Sequence, residues 1–221
     1  MGIQIENYHR LLEELGPSVT LVAVSKTKPV EDILALYEAG QRDFGENYVQ
    51  ELCEKREAVK GKARWHFIGH LQSNKVKEII GFTHLIHSID SSKLLTTINK
   101  EAKKAGIVVD CLIQVHIADE ETKFGFSEAE TEALMLFPDL SEMENVRIRG
   151  LMGMATLTDD TQKIANEFKR LKELFTNCRL MTMDPTSFDT LSMGMSSDYK
   201  IALDCGSNMI RIGSALFGER I

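Results

Sequence analysis

Apolar positions recur along this chain with two alternating periods. Residues 5–15 set Ile5, Tyr8, Leu11, Leu12 and Leu15 on one helical face and stop at Gly16-Pro17. After that opening helix, runs of strand character fall at 19–25, 42–45, 64–69, 84–89, 107–117, 146–155, 190–195 and 208–213. Helical patterns fill the intervals, among them Val30 to Ala39 closed by Gly40, Ser91 to Ala105 closed by Gly106, and Asp160 to Phe175. The stretches 137–145 and 180–189 read as ordinary loops. Eight strands in unbroken alternation with helices, none with the polar look of an edge, predict an α/β fold. Its specific form is a parallel (β/α)8 TIM barrel with an extra N-terminal helix, one domain over 1–221. The chain is short for that fold, so the helices must be lean. An open doubly wound sheet is the alternative, and it lacks its G-x-G-x-x-G fingerprint here, as it lacks a P-loop sequence.

A barrel assembles its site at the C-terminal ends of its strands. The first run, Thr20 to Ser25, delivers Lys26 shortly before Pro29, which has no N–H to continue a ladder. A solvated loop lysine is the plain reading; an amine whose apolar neighbours lower its pKa, ready to form a Schiff base, is the functional one. Lys28 shares the parity of Lys26 and reads as a solvated loop residue or a secondary cofactor site. Lys75 finds no role. The next ends carry Glu46 and Asn47, His66 and His70, and Ser88 and Asp90. His66 and His70 have a metal-like spacing, but they lie in strand-like sequence, where that spacing does not bring two imidazoles to one face of a helix. Around Met152 and Met154, glycines and methionines are either barrel packing or polarizable surface for a flat ligand.

The last two strand ends are the most informative. Leu191-Ser192-Met193-Gly194-Met195-Ser196-Ser197-Asp198 and Met209-Ile210-Arg211-Ile212-Gly213-Ser214 both run from a strand through glycine to serine. Inward-facing backbone N–H groups and hydroxyls there suit a phosphate, at the place where barrels commonly bind one; the plain reading is two helix caps. Arg211, flanked by isoleucines, must find a partner if buried, either a carboxylate such as Glu46 or Asp90 or the ring nitrogen of a cofactor.

Composition narrows the setting without changing the site. A net charge of −7 and a pI near 5.4 give no reason to expect nucleic acid or an anionic membrane as partner. Cys53, Cys111, Cys178 and Cys205 are scattered with no C-x-x-C pair, which fits thiols in a reducing compartment. With no leader-like N-terminus and no run long enough to span a bilayer, the expectation is a soluble, cytoplasmic protein.

A strand-one lysine, a phosphate cradle after strands seven and eight, and a strand-eight arginine together suggest pyridoxal phosphate. The sequence resembles the pyridoxal phosphate-binding homeostasis proteins, a family similar to the N-terminal barrel of alanine racemase. The resemblance runs through Val22 to Lys26, Phe44 to Glu51, Trp65 to Lys75, Ser88 to Asp90, Lys123-Phe124-Gly125, Gly150 to Met152, Leu191 to Asp198 and Arg211 to Gly218. It implies that Lys26 carries pyridoxal 5'-phosphate as a Schiff base, that Ser192, Gly194, Gly213 and Ser214 hold the phosphate, that Asn47 lies beside the cofactor, and that Arg211 faces the pyridine nitrogen. Ser88, Met152 and Met193, in the matched segments, complete the cofactor-binding set. His116 and Ala118 stand where the family more often has asparagine and serine, a departure that bears only on local pocket polarity.

An arginine against the pyridine nitrogen weakens the ring as an electron sink, because a like charge disfavours its protonation. Racemisation tolerates that but needs an acid and a base on opposite faces. In alanine racemases the second group is a tyrosine from an additional C-terminal domain, which this chain, ending at Ile221, is expected to lack; Tyr8, Tyr37, Tyr48 and Tyr199 are not at an obvious strand end. The expected function is therefore a carrier in intracellular vitamin B6 homeostasis, a monomer without robust catalysis that hands its cofactor to transient apo-enzyme partners. A racemase or lyase acting on a small amino acid is the alternative, and a Schiff-base aldolase on a phosphorylated sugar is the third.

Overall fold

Each apolar run becomes a strand, and each strand pairs in parallel with its sequence neighbour until β8 meets β1, so the sheet closes into a barrel. The computed structural model describes residues 3–59, 61, 63–119, 124–136, 140, 142–182 and 184–218. The strands are β1 (Thr20–Val24), β2 (Asp43–Glu46), β3 (Arg64–Phe67), β4 (Thr83–Ile89), β5 (Val109–Val115), β6 (Val146–Gly153), β7 (Thr190–Ser192) and β8 (Met209–Ile212). The helices are α1 (Ile5–Leu15), α2 (Val30–Glu38), α3 (Val49–Ala58), α4 (Val76–Ile79), α5 (Ser92–Ala105), α6 (Glu128–Leu136), α7 (Thr161–Met181), α8 (Tyr199–Asp204) and α9 (Ser214–Phe217). The helix ahead of β1 and the eight parallel strands are those the hydrophobic pattern predicts.

Local chemistry sets the element ends. The Ser91 hydroxyl accepts from Leu94 N to start α5, and Gly106, at φ 66°, ends it in the left-handed conformation. Asp160 accepts from the backbone N–H groups of Gln162 and Lys163 to start α7. That helix runs on to Met181 rather than stopping at Phe175, because Cys178 extends the buried stripe of Leu171, Leu174 and Phe175. The loop expected at 180–189 therefore begins inside a helix, and residues 137–139 and 141 of the other expected loop lie outside the described residues. β7 is shorter than its run: Gly194, at φ 98°, turns the chain two residues after Ser192.

Alternation along the strands divides the core in two. A large layer between barrel and helices holds residues such as Ile33, Phe44, Phe67, Ile98, Phe168 and Ile210. Inside the barrel, Val22, Leu85, Leu112, Met152 and Met209 pack together. Burial of each such side chain stabilises by about 1.5–3 kcal/mol, enough for the many members of the outer layer to hold the helices against the sheet. The barrel closes where Val22 lies opposite Arg211 and Ala23 opposite Ile212. Among the described residues no helix is long and apolar enough to cross a membrane.

Candidate functional site at the barrel mouth

β1 ends at Val24, and a tight turn follows in which Lys28 N donates to Ser25 O at 3.0 Å. Lys26 and Thr27 are its central residues, and Thr27 has φ 63°, a left-handed conformation uncommon for a β-branched residue. The turn is held from below by α3. Glu51 Oε1 accepts from Thr27 N at 2.6 Å, and the Lys55 ammonium donates to Ser25 O at 2.7 Å, Glu46 Oε1 at 2.8 Å and Glu51 Oε1 at 3.0 Å. Ser25 Oγ donates to the same Glu46 oxygen at 2.6 Å. Burial pushes the Glu46 carboxyl up to about 7, against the hydrogen bonds from Lys55 and Ser25 that favour its charge.

Lys26 opens into a cavity of about 550 Å3 together with Lys28, Asn47, Ile68, Met154, Met195, Ser196, Ser197, Arg211, Gly213 and Ser214. The charged side chains among the lining residues are Lys26, Lys28 and Arg211, so a strongly acidic chain keeps a locally cationic mouth. Lys28 donates to the carbonyl oxygens of Phe217 and Gly218 at 3.0 and 3.3 Å, which ties the lysine turn to the end of α9. The Ser196 hydroxyl accepts from Gly213 N at 3.3 Å and so joins the two loops of the cradle. Asp198 shapes the first of them by accepting from Met195 N at 2.6 Å. Gly69 lets the chain just past β3 run so near Asn47 that a Cβ there would stand 2.1 Å from Asn47 O.

Arg211 is buried at the base of the cavity and bonds neither carboxylate considered for it. Glu46 is taken by Lys55, and Asp90 accepts from His70 at 2.8 Å. Arg211 instead donates to Ser192 O at 2.9 Å, Ser192 Oγ at 2.6 Å and Gly153 O at 3.0 Å. Burial lowers its pKa to about 10, opposed by Asp198, so it stays charged at neutral pH.

Five of the ten residues singled out from sequence thus meet in one cavity: Lys26, Asn47, Arg211, Gly213 and Ser214. The other five do not line it. Ser192 still lies on β7, with its hydroxyl on the barrel axis under Arg211. Met193 packs in the outer layer, Met152 fills the inner one, and Gly194 makes the turn. Ser88 is buried, and its Oγ has no partner among the described residues. Ser196 and Ser197, the serines to which the run from Leu191 leads, do line the cavity. Tyr48 does follow a strand end, two residues past β2, where it is exposed at the rim. His66 and His70 have different partners: His70 bonds Asp90 and stacks on Phe124 at 4.2 Å, whereas His66 is buried inside the barrel. Lys123 of the Lys-Phe-Gly segment lies outside the described residues.

The cavity suits a phosphorylated, aldehyde-bearing aromatic cofactor. A primary amine, three serine hydroxyls, glycine backbone and a guanidinium line it together. Asn47 Oδ1 is buried with no hydrogen-bond partner among the described residues, which leaves an acceptor for a ligand donor.

Comparison with known proteins agrees with this chemistry. Residues 5–221 match the family model described as alanine racemase, N-terminal domain. The chain is 39% identical over 206 residues to a pyridoxal phosphate homeostasis protein of Haemophilus influenzae, covering 92% of this chain and 86% of that protein. The structure of PipY from Synechococcus elongatus with pyridoxal phosphate bound superposes with a TM-score of 0.88 at 35% identity, covering 97% of this chain and 100% of PipY. An alanine racemase of Clostridium difficile shares the fold, with a TM-score of 0.76 at 16% identity, over 97% of this chain and 56% of the racemase.

Proposed function

The chain belongs to the alanine racemase N-terminal domain family, and on that premise we propose that it binds pyridoxal 5'-phosphate and serves to keep the supply of that cofactor in balance. The observation that carries this reading is the meeting, in one cationic cavity, of Lys26 with Arg211 and the Ser196–Ser197 and Gly213–Ser214 loops. Lys26 is the covalent tether. Ser196, Ser197, Gly213 and Ser214 hold the phosphate, and Asn47 supplies an acceptor at the cofactor's edge.

Pyridoxal phosphate, when bound, supplies an electron sink for carbanion chemistry on amino acids. Arg211 works against that use, because its charge at the cavity base disfavours a proton on a facing ring nitrogen. Among the described residues that line the cavity, the titratable ones are Lys26, Lys28 and Arg211, with no carboxylate, imidazole or phenol to act as a second acid or base. The arrangement therefore favours holding and releasing the cofactor over turning over a substrate. A mouth open to solvent suits delivery to apo-enzymes. Four free thiols fit the reducing cytoplasm.

The test is to titrate cofactor-free protein with pyridoxal phosphate and follow the visible absorption. A band that borohydride fixes onto Lys26, and that Lys26→Ala abolishes, is expected. Protein that stays colourless, or an adduct fixed elsewhere, overturns the reading. Turnover-level entry of solvent deuterium at the α-carbon of an amino acid would replace the carrier by a racemase or lyase.

A further inference from the structure

A line of buried polar side chains runs down the barrel axis from Arg211 to the face opposite the mouth. Arg211 Nη1 is 2.6 Å from Ser192 Oγ, and Ser192 Oγ is 3.2 Å from His87 Nδ1. His87 Nε2 is 2.9 Å from His66 Nδ1, and His66 Nε2 is 2.9 Å from Asp43 Oδ1. All five residues are buried, three of them completely. At the far end, Arg64 forks onto Asp43 beside a second, polar cavity of about 400 Å3.

The ends of this line fix its direction. Arginine can only donate, and an ionised carboxylate can only accept. Burial raises the Asp43 carboxyl, but the Arg64 and His66 hydrogen bonds outweigh it and hold Asp43 at about 2, so it is ionised. Burial, with the Arg211 charge added to it, holds His87 well below the ordinary imidazole value and hence neutral. Among the described residues Ser192 Oγ, which accepts from Arg211, has only His87 Nδ1 to receive its own proton, so a neutral His87 carries its proton on Nε2 and gives it to His66 Nδ1. Starting from Asp43, His66 donates from Nε2 and accepts at Nδ1, His87 does the same, and the Ser192 hydroxyl donates to His87 while accepting from Arg211. No other assignment with neutral rings satisfies every contact.

We propose that Asp43, His66 and His87 are positioning residues for Arg211, forming a one-way hydrogen-bond relay that aims the Ser192 hydroxyl and carries the charge at the barrel floor to the cofactor ring. Removing the anion at the floor leaves the axis more positive and frees Ser192 to rotate, although Asp43 touches neither Ser192 nor Arg211. The charged and titratable groups facing the two rings are Asp43 on β2, Arg64 on β3, His84 on β4, Asp110 on β5 and Arg211 on β8. The effect on the ring rests on the cofactor reading above; the relay itself does not.

The first test therefore uses cofactor-free protein with nitrogen-15-labelled histidine. A coupling across the hydrogen bond between His87 Nε2 and His66 Nδ1 is expected, with the proton on His87. Absence of that coupling, or a proton on His87 Nδ1, overturns the relay without any variant having to fold. The second test loads the protein with pyridoxal phosphate and titrates its visible band with pH. Asp43→Asn is expected to move the midpoint to lower pH, and Asp43→Glu to restore it. Equal midpoints in all three proteins overturn the coupling to Arg211. Native protein that takes up no cofactor fails the cofactor reading, and the labelled-histidine result still decides the relay.

Discussion

The Lys55 ammonium lies 2.7 Å from the carbonyl oxygen of Ser25, the residue that leads into Lys26. Through Glu46 and Glu51 the same ammonium also reaches the end of β2 and the backbone of Thr27. A helix packed outside the barrel therefore sets the turn that presents Lys26 to the mouth.

Lys55→Met is expected to destabilise the fold by about 3–5 kcal/mol at pH 8, because it strands a buried carboxylate. The penalty should shrink at pH 5. Glu46, raised by burial to about 7, binds more protons folded than unfolded between about pH 4.5 and 7, so its contribution is fully present below that window and lost as pH rises through it. Urea melts at the two pH values measure the difference; equal penalties would contradict it.

Asp43 carries the opposite pH dependence. Held at about 2 against an ordinary 3.8, it contributes stability present above pH 4 and lost as pH falls towards 2, of about 2 kcal/mol. Acid melts should show that limb in the native protein and its loss in Asp43→Asn.

Thr27→Gly relieves a left-handed threonine, a strain of about 1–2 kcal/mol, and loses part of the gain to backbone freedom. The net expectation is about 0.5–1 kcal/mol of added thermal stability together with faster cofactor dissociation, since the turn at Lys26 loosens. A slower release, measured by transfer to an apo-enzyme, would show that the strained turn hinders binding.

Gly69→Ala would set a methyl 2.1 Å from Asn47 O and 2.7 Å from Asn47 Cα, both backbone atoms that cannot swing aside. Overpacking of this kind typically costs about 1–3 kcal/mol. Pyridoxal phosphate affinity should fall by about tenfold or more as Asn47 leaves the pocket, while Lys26 remains reactive to borohydride trapping.

The strands were legible because parallel, doubly covered strands read as apolar runs, and because glycine and proline punctuate their ends. The strand-end positions of Lys26 and of the Gly213–Ser214 step follow from that, whereas a role for Lys26 follows only from reading the two ends of the chain together. What a linear pattern does not carry is where a strand stops to within two residues. The run 190–195 reads as strand throughout, yet β7 ends at Ser192, whose hydroxyl bonds Arg211, and the chain turns early enough for Ser196 and Ser197 to meet the pocket. Nor does the pattern carry pairing between distant polar residues. Charge alone leaves Arg211 open to Glu46, to Asp90 or to a cofactor's ring nitrogen, but Lys55 and His70 hold those carboxylates, and backbone carbonyls with a serine serve Arg211. The same blindness hid the His66–His87 contact, since each histidine alone resembles a strand-end residue.

The ring of strands has a joint where its first and last staves meet, with Val22 beside Arg211. Lys26 stands on one side of that joint and Gly213 and Ser214 on the other, almost the whole sequence apart. A molecule gripped by both is a rivet through the hoop. In a pulling experiment anchored in β1 and β8, loading the pocket should raise the force at which the hoop springs open, so that resistance to being prised apart reports occupancy even where the cofactor's colour is masked.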